Sequence, residues 1–401
     1  MEAELLQGPD AGRQLAAERE TFEDPETGAT VHRLTSNPAS DDYHLYFTEP
    51  MWYDDGNRLL FRSDRDGTWG LYSVHLESGA ITQLTDLPED IGGITRVATE
   101  PTALFWCGRR LVSLDLETLA IDVLYVRPEG YGGSVIGGTA DGERAVTAIS
   151  EEIEVERENR PRDEWIAELM AQEPHSQVLS VPIDADSDSD GDSDSNGEPT
   201  VHVDENRWLN HVNASPTRPE LVTYCEEGPW EDVDRIWGLD LETDETWQIR
   251  PTAEGESVGH EYWLADGETV GYHGWQGTRD DPDAFFGQIR HDNTDRREGT
   301  APDIYTHYHS NTRDLVVGDG THRTRGPAFV LLWAWDEATG EYAPPRKLAG
   351  HEWESDEDAH PHSRLSPDGT HVVFDSTMGG DGSDVYLAAV PDDLEDLPRL
   401  S

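Results

Sequence analysis

Short alternating hydrophobic segments, separated by turn residues, recur along the whole chain. In LYSVHLESGAITQLT, which starts at Leu71, two alternating stretches flank a turn around Gly79. A period of two predicts strands with one buried face, and two such stretches around a short turn predict a hairpin. Units of the same kind start at Leu111, Val178, Ile236, Phe285, Leu331 and Val385.

A second pattern precedes several of these hairpins and consists of an Asp-Gly turn followed by an apolar strand. Examples are YDDGNRLLFRS, TADGERAVTAIS, LADGETVGYHGW and SPDGTHVVFDS. Asp-Gly turns between alternating strands are strong hairpin signals. Hairpin starts spaced roughly 40 to 70 residues apart are typical of four-stranded propeller blades, and seven similar units favour radial closure over a two-sheet sandwich. The predicted fold is all-β, a seven-bladed β-propeller, and ATVHRLT from Ala29 is a candidate for closing the ring.

One segment breaks the strand pattern. RPRDEWIAELMAQ starts at Arg160 and predicts a short helix that interrupts a blade and covers a pocket. The predicted apolar stripe of this helix consists of Trp165, Ile166, Leu169 and Met170.

An acidic, low-complexity insert over residues 184–198 enlarges one hairpin turn. It does not match a calcium loop, because the twelfth residue from Asp186 is Gly197, where such a loop needs a glutamate. The predicted organisation is an acidic N-terminal extension over residues 1–21 and one propeller domain over residues 22–401.

The charge of the chain limits its setting and its partners. It has 401 residues, 84 acidic and 29 basic, and a formal charge of −55, with Lys347 as its one lysine. Molar salt shortens the Debye length to about 3 Å and screens such self-repulsion. A halophilic cytoplasm is therefore expected, and nucleic acid and anionic membranes are poor partners.

Other features also favour a cytoplasmic protein. Cys107 and Cys225 form no disulfide framework, which is typical of a reducing compartment. The first twenty residues lack the apolar stretch of a secretory signal. The longest apolar run, FVLLWAW from Phe329, is too short to cross a bilayer.

Candidate chemistry begins at HPH, where His360 and His362 flank Pro361. In an extended segment, residues i and i+2 project to the same face, so the two imidazoles converge as half of a metal site. Two ordinary surface histidines are the alternative. Polar residues in aromatic surroundings, where propeller sites form, supply further candidates: His211, Arg235, His260, His307 and His309.

These segments resemble the oligogalacturonate lyases, cytoplasmic pectin-degrading enzymes with a seven-bladed propeller. The most specific matching pieces are AEGESVGHEYW, CEEGPWEDVDRIW, THYHSN followed by VVGDG, and HPH. The resemblance runs from Phe22 to Pro391 and implies β-elimination of short oligogalacturonides to 4-deoxy-5-keto-uronate monomers.

The family binds manganese through three histidines and a glutamine, and uses a further histidine as base and an arginine on the substrate. The resemblance implies His307, His360 and His362 as Mn²⁺ ligands, His260 as base and Arg235 on the substrate. At the glutamine position this chain has Glu357, whose oxygen also suits Mn²⁺. Asp356 or Asp358 are alternative oxygen ligands, and another divalent metal is an alternative ion. His309 is expected to be a bystander. His211 and His44 are expected to lie on the rim of the site, near the substrate.

The residues agree with this chemistry. β-Elimination of a uronide needs a neutral base and groups that neutralise the carboxylate, and histidine, a metal and arginine supply them. No nucleophile-elbow motif supports a serine hydrolase. A lyase for a different uronide and a non-catalytic ligand-binding propeller are the alternatives.

Overall fold

The computed structural model describes residues 5–157, 160–183, 198–279, 281–304, 307–320, 328–353, 360–380 and 382–400. These residues form seven antiparallel sheets, one α-helix and one short 3-10 helix. The sheets are numbered here as blades 1 to 7 in the order of their innermost strands. The acidic insert predicted over residues 184–198 lies outside the described residues, apart from Glu198 at its end.

Blades 2 to 5 are four-stranded meanders in which each strand pairs with the next along the chain. This order follows from the predicted hairpins, because a short turn makes neighbours of consecutive strands. Their strands are β9 (Ile91–Arg96), β10 (Thr102–Cys107), β11 (Arg110–Asp115) and β12 (Ile121–Val126) in blade 2; β13 (Tyr131–Gly138), β14 (Arg144–Glu151), β15 (Ser176–Pro182) and β16 (Thr200–Glu205) in blade 3; β17 (Leu209–Ala214), β18 (Leu221–Glu226), β19 (Ile236–Asp240) and β20 (Thr246–Arg250) in blade 4; and β21 (Glu256–Trp263), β22 (Thr269–Thr278), β23 (Asp281–Arg290) and β24 (Arg297–Thr300) in blade 5.

Blades 1, 6 and 7 contain additional strands. Blade 1 gains β1 (Gln14–Leu15) from the N-terminal segment, and two short strands, β4 (Asp42–His44) and β5 (Trp52–Tyr53), both pair with β6 (Arg58–Ser63). The other strands of blade 1 are β7 (Gly70–His75) and β8 (Ile81–Gln83). Blade 6 consists of β25 (Tyr308–Thr312), β26 (Leu315–Gly318), β27 (Phe329–Asp336), β28 (Glu341–Tyr342) and β29 (Arg346–Gly350). Blade 7 consists of β2 (Glu20–Glu23), β3 (Thr30–Arg33), β30 (Arg364–Leu365), β31 (His371–Ser376) and β32 (Asp384–Ala389).

The N-terminal strand β3 closes the ring by pairing with β32, with Val31 opposite Ala388. This confirms the role predicted for ATVHRLT. The hairpin predicted from Val385 is wrong, because the chain after β32 enters the 3-10 helix Leu394–Asp396 instead of a return strand. The side chain of Asp393 caps this helix by accepting from the backbone N–H of Glu395. The partner strand therefore comes from the other end of the sequence.

Buried apolar clusters lie between neighbouring blades and hold the ring together. Val373 and Leu387 of blade 7 share one cluster with Phe61 of blade 1 and Phe105 of blade 2. Further clusters join blades 2 and 3, 3 and 4, 4 and 5, 5 and 6, and 6 and 7. Burial of one such side chain stabilises the folded state by about 1.5–3 kcal/mol. Because the buried apolar clusters lie between blades, these interfaces form the main apolar core. The all-β, seven-bladed prediction is confirmed.

The predicted helix is present as α1 (Arg162–Met170), between the second and third strands of blade 3. It buries Ile166 and Leu169, and Leu169 lines a cavity of about 820 Å³ beside Trp208. A Cβ atom on Gly228 would lie 2.7 Å from the Met170 sulfur, so the helix also packs on the loop that follows β18. Among the described residues, no helix has the length and apolar character needed to cross a membrane.

Candidate active site

The candidate residues gather on one face of the propeller, which we call the site face. Consecutive strands of a meander are antiparallel, so each innermost strand begins at the face where the second strand ends. His307 immediately precedes β25, and His360 and His362 precede β30. Asp319 follows β26, the second strand of blade 6, and Arg235 lies in the loop between the second and third strands of blade 4.

Three of the predicted ligands converge. The nearest ring nitrogens of His307, His360 and His362 all lie within 4.8 Å of one another. The ring centroids are 4.4 Å apart for His307 and His362 and 5.6 Å apart for His360 and His362. Three imidazoles aimed at one point suit a divalent first-row metal, and an oxygen ligand would favour Mn²⁺ among these ions. The predicted oxygen ligand, Glu357, and its alternatives Asp356 and Asp358 lie outside the described residues.

The two HPH histidines converge for a different reason from the one expected. Residues 360–363 form no strand, and His362 has a φ of 47°, in the left-handed region. The extended geometry predicted for HPH is therefore wrong, although the convergence is present. The backbone N–H of Asp375 donates to the Pro361 carbonyl at 3.0 Å, which fixes the segment against blade 7.

Asp319 connects the two parts of the histidine cluster. Its Oδ2 accepts a hydrogen bond from His307 Nδ1 at 2.8 Å, and its Oδ1 accepts from the backbone N–H of Ser363 at 2.7 Å. Burial alone would raise the pKa of Asp319, but the hydrogen bond and charge of His307 and the contacts with Ser363 lower it to about 2. With Nδ1–H directed at this carboxylate, the lone pair that His307 offers to a metal is on Nε2, the usual arrangement around metal-binding histidines. Asp319 is the aspartate of VVGDG, and no feature of the sequence predicted it as part of the site.

His260, the candidate base, lies against the cluster. Its ring stacks on His307 at a centroid distance of 4.5 Å and meets Trp230 edge-on at 4.8 Å. His260 Nδ1 is 2.8 Å from Nε2 of His273. Burial, followed by the nearby His307 and His273, lowers the pKa of His260 well below its usual value, which favours the neutral imidazole.

A bulge in β21 aims the His260 side chain. The pairing with β22 shifts register between Gly259 and Tyr262, and His260 has a φ of 51°. Bulges bend a strand and redirect a side chain, and they are frequent beside active sites. His211 has the same geometry in β17, with a register shift between Asn210 and Asn213 and a φ of 44°.

Arg235 lies in an acidic environment and is only 2% exposed. Its terminal nitrogens donate to both oxygens of Glu227 at 2.8 and 3.2 Å, and Nε donates to Glu261 at 3.3 Å. Among the described residues, Arg235 therefore pairs with Glu227 and Glu261 and not with its sequence neighbours Asp232 and Asp234. Burial would raise the pKa of Glu227, but Arg235 lowers it well below its usual value, so the pair is ionised. A guanidinium has five N–H donors, so two remain for a ligand.

The remaining predicted histidines occupy different environments. His211 Nε2 is 3.2 Å from Glu227, and its ring is 5.5 Å from Tyr46. His44 does not lie on the rim, because its side chain is 0% exposed and its Nε2 is 3.1 Å from the Pro361 carbonyl. The rim placement of His44 is therefore corrected to a position behind HPH. His309 accepts from the backbone N–H of Leu365 at 3.4 Å, and among the described residues it lies outside the group His307, His360 and His362.

Two aromatic residues beside the three histidines were not predicted from the sequence. The Tyr46 ring lies 5.1 Å from His362, and the Phe47 ring lies 5.1 Å from His307. Burial raises the pKa of the Tyr46 hydroxyl, which keeps it protonated. In the sequence, LYF looks like an ordinary strand core, and no local signal places these two rings at the axis.

A propeller with a histidine cluster of metal-binding type, a neutral histidine beside it and a buried arginine has the parts of a metal-assisted acid–base enzyme. A family model described as oligogalacturonate lyase matches residues 10–327. The chain belongs to the oligogalacturonate lyase family.

Curated relatives and solved structures agree with this assignment. An oligogalacturonide lyase of Pectobacterium atrosepticum is 28% identical over 96% of this chain and 99% of its own length, and an oligogalacturonate lyase of Dickeya dadantii gives the same values. The structure of an oligogalacturonate lyase in complex with manganese has a TM-score of 0.79 at 26% identity, covering 96% of this chain and 99% of that one. The oligogalacturonate lyase of Vibrio parahaemolyticus has a TM-score of 0.80 at 25% identity, covering 95% and 99%.

Proposed function

We propose that this chain cleaves short oligogalacturonides by metal-assisted β-elimination and releases 4-deoxy-5-keto-uronate monomers. The observation that carries the proposal is the convergence of His307, His360 and His362 beside His260 on the site face. Membership of the oligogalacturonate lyase family supports the substrate class. The elimination needs no covalent nucleophile, only a base and charge stabilisation.

In this mechanism His260 removes the proton α to the carboxylate of the reacting ring. In the tautomer that this mechanism requires, the Nδ1–H of His260 donates to His273 Nε2, which leaves the Nε2 lone pair of His260 for the proton. The electrons of the C–H bond form the new double bond, and the C–O bond on the next carbon breaks as its oxygen leaves and takes up a proton. The lowered pKa of His260 keeps it unprotonated near neutral pH.

The carboxylate of the reacting ring needs positive groups, because its charge opposes loss of the neighbouring proton. His307, His360 and His362, with Glu357 as the proposed oxygen ligand, would hold Mn²⁺ or another divalent ion. The ion would supply Lewis-acid stabilisation of the charge that develops on the carboxylate. Arg235 directs its remaining N–H donors at the same group, and His211 contacts the substrate beside Glu227.

We also propose that the protein works in a cytoplasm with concentrated salt. The support is the formal charge of −55 with a single lysine. In molar salt the screening length falls to about 3 Å, which reduces repulsion both within the protein and between the protein and a polyanionic substrate.

Incubation of digalacturonate with the Mn²⁺-loaded protein tests the function. The buffer contains about 2 M KCl, because molar salt shortens the screening length to about 3 Å and so reduces repulsion between protein and substrate. Ultraviolet absorbance of the unsaturated product and chemical detection of the keto-uronate should both appear, and both should be lost after chelation. Turnover of another uronide but not of digalacturonate would correct the substrate. Absence of turnover with every uronide, despite a bound ion, would contradict the lyase function.

A further inference from the structure

A small cavity continues the site face beyond the histidine cluster. It has a volume of about 170 Å³, and its lining includes His44, Tyr46, Arg62, Gly92, His362 and Asp375. Pockets for drug-sized ligands measure about 300–1,000 Å³, so this cavity suits one charged group of a sugar. A Cβ atom added to Gly92 would meet nothing within 4 Å, which shows open space at this wall.

Arg62 supplies the positive charge of this cavity. It lies near the end of β6, opposite Tyr43 in the pairing with β4. Its guanidinium carbon is 4.9 Å from the ring centroids of both Tyr43 and Trp69. The two aromatic rings hold the guanidinium through cation–π contacts and leave its N–H edge available to a ligand.

The ionic environment of Arg62 differs from that of other arginines on the site face. In the described parts of the chain, no hydrogen bond or ion pair to the side chain of Arg62 is formed. Arg65, three residues later, is paired with Glu18 and Asp42, and Arg235 is paired with Glu227 and Glu261. Asp375 also lines the cavity, but among the described residues it forms no direct ion pair with Arg62, so the guanidinium keeps its N–H donors for an external anion.

The order of the blades separates Arg62 from the candidate base. His260 belongs to blade 5, the histidine cluster to blades 6 and 7, and Arg62 to blade 1. The cluster therefore lies between the candidate base and Arg62 around the ring. A carboxylate on Arg62 would be separate from the carboxylate at the reacting carbon, and an oligogalacturonide has such a second carboxylate on the adjacent ring.

We propose that Arg62 binds the carboxylate of the uronate ring next to the reacting ring and so selects substrates with two adjacent carboxylates. This inference rests on the proposed function. The planar guanidinium binds a carboxylate through two parallel hydrogen bonds, and hydrogen bonds to charged groups are the stronger ones. Arg62 acts on binding, because it does not touch the atoms that react.

The test compares Arg62→Gln with Arg58→Gln, a matched control. Arg58 lies on the same strand as Arg62 but at the opposite face of the propeller. Each variant removes one positive charge. Calorimetric binding and steady-state turnover of digalacturonate are measured in the same salt. We expect Arg62→Gln to weaken binding and raise KM by roughly ten- to a hundredfold, with kcat almost unchanged. The control should behave like the unmodified protein.

A second variant, Gly92→Leu, tests the cavity without changing charge. It should weaken digalacturonate binding in the same way, because the leucine fills the open wall beside Arg62. Unchanged binding in Arg62→Gln would overturn the inference, as would a loss that is equally large in Arg58→Gln. If the unmodified protein binds digalacturonate without cleaving it, the proposed function fails, and the binding comparison still decides the role of Arg62. A protein that binds no digalacturonate overturns both.

Discussion

The two faces of the propeller both contain residues with left-handed backbone conformations, but these residues differ. On the face opposite the site, the turn between β5 and β6 places Asp54 and Asp55 at φ values of 54° and 52°, followed by Gly56. Aspartate and glycine adopt this region readily in tight hairpin turns. On the site face, His211, His260 and His362 adopt it, at 44°, 51° and 47°.

For the histidines on the site face, the proposed function gives a reason for the unusual backbone. A residue held in a sparsely populated conformation costs about 1–3 kcal/mol, and such residues cluster at active sites. A cavity of about 980 Å³ on the opposite face, lined by Arg58, Glu100 and His371 among others, is larger than the cavity of about 170 Å³ beside His362. Cavity size alone would therefore select the wrong face, whereas side-chain convergence and backbone strain select the site face.

The largest effect should come from the HPH histidines. His360→Ala or His362→Ala should remove the bound ion and abolish turnover, since each contributes one of three converging imidazoles. His371→Ala on the opposite face is the control and should retain both. Metal analysis and circular dichroism check the result. One full equivalent of ion in a folded His360→Ala protein would exclude this residue from the site.

Asp319→Asn should weaken metal binding by about 10- to 100-fold, the usual effect of losing the partner of a metal-binding histidine. The amide has one acceptor oxygen, whereas Asp319 receives hydrogen bonds on both oxygens, from His307 and Ser363. A competitive titration with a chelator measures the change. Asp368→Asn, in an exposed turn of the opposite face, is the matched control, and equal affinities in the two variants would contradict the role of Asp319.

His273→Ala should lower kcat by roughly tenfold with little change in KM, because a lost hydrogen bond of about 1 kcal/mol leaves His260 less well oriented. His273→Gln should recover part of the rate, since its amide oxygen can accept from His260 Nδ1–H. The pH–rate profiles of both variants separate orientation from a structural defect. If alanine and glutamine reduce kcat equally and leave the profile unchanged, His273 does not position the base.

Glu357→Gln should have the smallest effect. Glutamine retains an oxygen donor at the position where the resemblance places a glutamine ligand. Metal content should stay near one equivalent, and turnover should stay within severalfold of the unmodified protein, whereas Glu357→Ala should lose ion. A metal-free Glu357→Gln protein would show that another residue fills this ligand position.

Local signals account for the success of the fold prediction. Alternation and Asp-Gly turns predicted hairpins such as β6–β7 and β22–β23, because both strands lie close together in sequence. The predicted hairpin at Val385 failed because β32 pairs with β3, more than three hundred residues earlier. No periodic pattern identifies a partner at that separation, although ATVHRLT was recognised as a candidate for closure.

The candidate site was predictable where a motif carried it. HPH, GHEYW and DVDRIW led to the histidines and to Arg235, whereas Asp319, His273 and Tyr46 were missed. His273 reaches His260 because it lies opposite Gly259 in the register of two paired strands. The bulge that turns His260 toward the axis and the left-handed conformation of His362 are also three-dimensional features, for which a period-two pattern gives no indication.

Turnover of metal-loaded His260→Ala tests the central claim most directly. General-base catalysis contributes about 10²–10⁴-fold, so kcat with digalacturonate should fall by at least 10²-fold. Metal content and digalacturonate binding should be retained, because His260 is not one of the three converging ligands. A turnover rate close to that of the unmodified protein, with the ion confirmed, would place the base elsewhere and contradict the mechanism.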